Sequence, residues 1–169
     1  MSKASVLPIL PPEPPDPVLE RDAEEMYQAL SDLVRVYESR DRDRICCYDI
    51  SVSQCYALEA LVRRGGITMN DLAAQLYLDK STASRVVDAL ERKGYVGRMT
   101  HPQDRRAVLL EATKAGRALE EKIRESILTQ ERMLLAGFAP EVRQAMTQLL
   151  RQLARAAASN NPGGCCTAP

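Results

Sequence analysis

The stretch LAAQLYLDKSTASRVVDALERKGYV, residues 72–96, decides the fold. It reads as two short helices joined by Tyr77-Leu78-Asp79. Thr68, with Asp71 three residues on, starts the first of them over Met69–Leu76. Asp79 or Ser81 caps the second, because a short side-chain oxygen there accepts from the unpaired amides of a first helical turn. Ala83, Val86, Val87 and Leu90 recur at helical spacing as its buried face, and Gly94 ends it. Lys80, Ser81, Thr82, Ser84 and Arg85 fall on the opposite face. This is the layout of a helix-turn-helix, a motif that also serves pure packing roles.

Working outward toward the C-terminus, Tyr95–Thr100 and Arg105–Glu111 read as two strands of a wing. His101-Pro102-Gln103-Asp104 joins them, with Pro and Asp at positions that suit a turn. Thr113 caps a helix to about Ala136, and a last helix runs Pro140–Ala158 with Pro in its first turn. Its stripe is Val142, Ala145, Met146, Leu149, Leu153 and Ala157. Toward the N-terminus, a helix over Ser53–Val62 takes Ser53 as cap and Gly65-Gly66 as stop. Before it, Leu19, Ala23, Met26, Leu30, Leu33 and Tyr37 lay one apolar seam along a helix of about 18–44. Residues 1–17 hold six prolines, which remove backbone donors and favour an extended or disordered arm.

The predicted architecture is mainly α: a winged helix-turn-helix with a short β-hairpin wing, plus long terminal helices forming a dimerisation lobe. One domain spans 18–158, with dimerisation helices at about 18–44 and 113–158 and the winged helix at about 53–112. A Pro-rich arm (1–17) precedes it and a flexible Cys-containing tail (159–169) follows. The terminal seams have no fourth long helix to complete a bundle within one chain. A second copy is expected to cover them, making a homodimer.

Charge distribution narrows the function. The 169 residues carry 23 bases and 23 acids, yet Asp79–Arg106 holds seven bases against four acids, and residues 1–33 hold two against seven. Phosphate neutralisation needs such local basic charge, not a basic whole chain. Recognition helices present their first residues to base edges, and the fork of Arg85 matches guanine O6 and N7. Lys80, Ser81, Thr82, Ser84, Arg85, Arg98, Asp104, Arg105 and Arg106 are therefore the candidate DNA-binding residues. No phosphate loop, nucleophile–base pair or converging carboxylate pair suggests an enzyme. No apolar run approaches the ~20 residues of a membrane span. The N-terminus also lacks a secretory layout, so a cytoplasmic protein without a membrane partner is expected.

The residues quoted above resemble the MarR family of winged helix-turn-helix regulators. The likeness runs from Leu72-Ala73 through Asp79–Val96, into Asp104-Arg105-Arg106-Ala107-Val108-Leu109-Leu110, then Thr113-Lys114-Ala115-Gly116. The Asp-x-Arg wing followed by Thr-x-x-Gly is its most specific part. The resemblance implies that Arg106 enters the minor groove while Asp104 steadies it. It also implies a dimer on a pseudo-palindromic operator in double-stranded DNA, usually as a repressor. Tyr77 departs from the family, which often has Gly in that turn; the departure either tilts the recognition helix or adds a core contact. The ArsR type is a near alternative, but its shorter layout leaves the two long C-terminal helices unexplained.

The family pattern does not explain Cys46-Cys47, Cys55 and Cys165-Cys166. Five cysteines scattered at random would give about 0.12 adjacent pairs, and this chain has two. Cys55 falls in the opening turn of a helix, where the dipole favours a thiolate. The lone histidine, His101, lies far along the chain, which disfavours a mixed zinc site. Cys47, Cys55, Cys165 and Cys166, with Cys46 as an adjunct, could bind a soft metal or metalloid ion whose arrival weakens DNA binding. Oxidation of the thiols is the rival. The plain alternatives are structural cysteines with an organic inducer bound elsewhere, or a winged helix that binds a protein instead of DNA. No cofactor is required.

Overall fold

The computed structural model describes residues 16–45, 47–100 and 108–160. Its elements are α1 (Pro17–Ile45), α2 (Val52–Arg64), β1 (Ile67–Thr68), α3 (Met69–Gln75), α4 (Lys80–Arg92), β2 (Val96–Thr100), β3 (Val108–Ala112), α5 (Lys114–Leu135) and α6 (Pro140–Asn160). The chain divides into two compact units, Met1–Arg40 and Asp41–Pro169. The described part of the first is helical and exposes Leu19, Met26, Leu33 and Val34.

Local chemistry fixes the helix starts. Thr68 and Asp79 cap α3 and α4 by accepting from the amides of Asp71 and Thr82. The cap of α2 is Ser51, two residues earlier than Ser53. Ser51 Oγ accepts from the Gln54 amide, and Gln54 Oε1 accepts from the Ser51 amide, both at 3.3 Å. This reciprocal box satisfies two orphan donors at once, which a cap at Ser53 would not. Gly65 ends α2 with φ +75°, a conformation that side chains resist.

The sheet is antiparallel with order β1-β3-β2. β1, two residues long, was not expected from the sequence; it pairs Ile67 with Leu110 and joins the wing strands to the start of α3. β3 begins at Val108 and takes in Ala112, whereas Arg105–Ala107 and the joining residues 101–104 lie outside the described residues. So do most of the Pro-rich arm and the tail from residue 161.

The core lies between Ile45 and Ile123. Leu58, Leu61, Leu72, Val87, Leu90 and Leu110 are its largest fully buried side chains. Ala83, Val87 and Leu90 form the buried face of α4 as expected, with Val86 only half-buried. The Thr-x-x-Gly segment has a steric reason. Thr113 Oγ1 accepts from the Gly116 amide at 3.1 Å and donates to the Gly94 carbonyl at 2.7 Å. That draws the first turn of α5 so close that a Cβ on Gly116 would stand 2.1 Å from the Tyr95 carbonyl oxygen. Only glycine fits there.

Candidate nucleic-acid interface

The turn between α3 and α4 sets the approach of the candidate reading helix. The Leu78 amide donates to Ala73 O at 2.9 Å and the Tyr77 amide to Ala74 O at 3.2 Å. This is a Schellman closure, whose pivot must be left-handed. Tyr77 is that pivot, at φ +53°, where glycine would sit without strain. Its ring is 81% exposed, so it adds no core contact.

Asp79 then organises the first turn of α4. Its Oδ1 accepts from the Thr82 amide at 2.9 Å and Ser81 Oγ at 2.7 Å, and its Oδ2 from Thr82 Oγ1 at 2.7 Å. These donors hold its carboxyl well below the usual carboxylate range. Ser81 and Thr82 thereby commit their hydroxyl protons to Asp79, so the oxygens have only lone pairs left to offer. Ser84 Oγ leans toward Asp88 Oδ2 at 3.5 Å.

Lys80 and Arg85 stand differently. Both are exposed, and among the described residues neither takes part in an ion pair or side-chain hydrogen bond. Ser81 and Arg85 are four residues apart and share one face of α4. That face offers guanidinium donors beside hydroxyl acceptors, which suit a guanine edge beside the exocyclic amine of adenine or cytosine.

Arg98 is engaged otherwise than the sequence suggested. On β2, its Nε donates to Glu91 Oε2 at 3.0 Å and its Nη2 to Asp88 Oδ1. The two acids were visible in the sequence, but their pairing across ten and seven residues was not. Lys93, at the end of α4, reaches Gln54 Oε1 at 3.1 Å. Asp104, Arg105 and Arg106 lie outside the described residues.

The cysteines separate. Cys47 is exposed and Cys55 is buried, while Cys46, Cys165 and Cys166 lie outside the described residues. A dipole-favoured thiolate at Cys55 is not what the surroundings support. Burial first, then the charges of Glu59, Asp41 and Glu120, push this thiol up to about 11. The helix dipole acts mainly on the first turn, and the Cys55 amide already bonds the Ser51 carbonyl at 2.9 Å. Among the described residues no group of three or more His, Cys, Asp or Glu side chains is placed to hold a metal. Nor is any described helix long and apolar enough to cross a membrane.

Known proteins share this arrangement. The model of the MarR family matches residues 48–107, from the bend before α2 to the wing. A protein described as regulatory for the hcr operon of Thauera aromatica is 30% identical over 98 residues, 58% of this chain and 59% of that one. The HTH-type transcriptional regulator YdgJ of Bacillus subtilis is 31% identical over 110 residues, 63% of this chain. The chain thus spans less than two thirds of either relative, 59% and 65% of their lengths. The structure of a MarR family protein from Bacillus stearothermophilus superposes with a TM-score of 0.74 at 26% identity, covering 82% of this chain and 97% of that one. With its helix order, Asp-capped α4 and Thr-x-x-Gly packing all accounted for, residues 48–107 of this chain match the MarR family, and the described fold is that of a MarR family structure.

Proposed function

We propose that the protein is a dimeric, sequence-specific DNA-binding transcriptional regulator that reads the major groove with α4. The observation that carries this reading is the pair of exposed, uncommitted cationic heads, Lys80 and Arg85, on a helix whose other face is buried. Arg85 supplies base preference and Lys80 a phosphate contact, while Asp104, Arg105 and Arg106 belong to the wing's share. The dimer is supported by apolar residues left exposed on a single chain: Leu19, Met26 and Leu33 on α1, and Val142, Leu149 and Leu150 on α6. Two copies give the two-fold symmetry that a pseudo-palindromic operator needs. Repression follows as the simplest result of such a dimer seated on its operator.

Control by a soft ion runs through Cys47, Cys55 and the paired cysteines, with burial making Cys55 the harder thiol to ionise. Its test is operator release by arsenite or cadmium in the native chain and in Cys47→Ser. The central test is duplex binding against salt. A DNA reader loses affinity linearly on a log–log plot, with a slope of about −0.9 per phosphate contacted. A winged helix that serves a protein partner shows no such binding. Arg85→Ala is expected to relax base preference by about 1–3 kcal/mol in a selection from random duplexes. Unchanged preference removes Arg85 from that role.

A further inference from the structure

We infer that Arg98 is a positioning residue: it locks the wing to the reading helix through Asp88 and Glu91 and makes no DNA contact of its own. The inference rests on the DNA-binding reading above and names a part within it. The geometry begins in β2. Val96 is buried, and Arg98, two residues on, shares its strand face and so lies over α4. Met99 points the other way and is half-exposed.

From that position one guanidinium serves two carboxylates. Nε meets Glu91 at 3.0 Å and Nη2 meets Asp88, and these acids are three residues apart on one face of α4. All three side chains are about two-fifths exposed, so the bridge stands at the surface and is not a core pair. An isolated surface ion pair contributes little, but a forked arginine engaging two acids adds a fixed geometry.

Charge argues the same way. The cluster of Arg98, Asp88 and Glu91 carries one positive against two negative charges. A phosphate would have to approach that net negative patch and break two charge-assisted bonds to take Arg98. Lys80 and Arg85 impose no such requirement. What Arg98 can do is hold β2 at a set angle to α4. Beyond Thr100 the chain runs into residues 101–107, which return to β3 at Val108, opposite Thr100. A reader that uses a helix in one groove and a wing in the next needs that angle fixed.

The test is a mutant cycle on the full chain: Arg98→Ala, the pair Asp88→Asn with Glu91→Gln, and all three together. Thermal unfolding without DNA and duplex affinity across a salt series are measured for each. Arg98→Ala is expected to weaken duplex binding by about tenfold while leaving the salt slope unchanged. It should cost almost nothing further once both acids are neutralised. In a duplex selection it should relax preference at the flanks, where the wing lies, and keep the preference that Arg85 sets, a pattern that mere loss of stability would not produce. A slope reduced by about 0.9, or an equal loss in the neutralised background, marks a direct phosphate contact and overturns the proposal. If the native chain shows no salt-dependent duplex binding, the DNA reading falls and this inference falls with it. Native binding with an additive cycle sinks this inference alone.

Discussion

α4 and α6 are both amphipathic helices, yet one is closed and the other open. α4 buries Ala83, Val87 and Leu90 completely, and its polar face holds the candidate DNA contacts. α6 is the longer, at 21 residues against 13, and none of its described residues is buried. Val142, Met146, Leu149 and Leu150 all stay open. Similar patterning in sequence therefore has different consequences. The stripe of α4 is matched by residues of its own chain, from α2, α3 and β2. That of α6 stays exposed among the described residues. The reading head closes its apolar face by internal packing, whereas α6 keeps its stripe exposed; under the proposed dimer a second copy covers it.

The largest expected effect breaks the closed side of this comparison. Gly116→Ala forces a methyl against the Tyr95 carbonyl, so α5 must move off the wing and destabilisation of about 4 kcal/mol is expected. Chemical denaturation measures it, and a cost under about 1 kcal/mol would show that the close approach is not needed. Next, Leu90→Ala should cost about 3 kcal/mol whatever the protein concentration. Leu149→Ala should instead make the melting temperature more dependent on concentration and shift sedimentation toward monomer. If Leu149→Ala leaves association unchanged, the open stripe of α6 is not the dimer surface.

A smaller effect has the opposite sign. Tyr77→Gly relieves a left-handed side chain that makes no core contact, and a gain of about 1 kcal/mol is expected. A loss would mean the exposed ring has a partner it needs.

The last effect is on pH. Cys55 is raised in the folded state, from 9.0 to about 11. The unfolded chain thus releases its proton first, and the stability this thiol contributes is fully present below about 9 and lost as pH rises toward 11. Cys55→Ala should flatten that part of the stability–pH curve. At neutral pH a thiol reagent should label exposed Cys47 well before Cys55.

Much of the reading head was legible because its determinants are local. Thr68 and Thr113 announce their helices by chemistry within one turn, and the stripe of α4 needs only a count of residues. Ser51 carries an equally local signal, since Ser51-x-x-Gln54 is a capping box, but Ser53 offers a competing hydroxyl two residues on. β1 could not, because two residues make a strand only when another strand stands beside them.

The sequence by itself determined the helix order and the polar face of α4, since periodicity and caps depend on neighbours within four residues, and its motif residues carried the likeness to the family. Tertiary structure alone decided which groups are committed. Arg98 found Asp88 and Glu91 across the gap between strand and helix. Ser81 and Thr82 turned their protons toward Asp79. Cys55, at a helix start that favours a thiolate, came to face Glu59, Asp41 and Glu120 from three helices. Charge and burial act through space, so a side chain's chemistry was settled only when distant segments met.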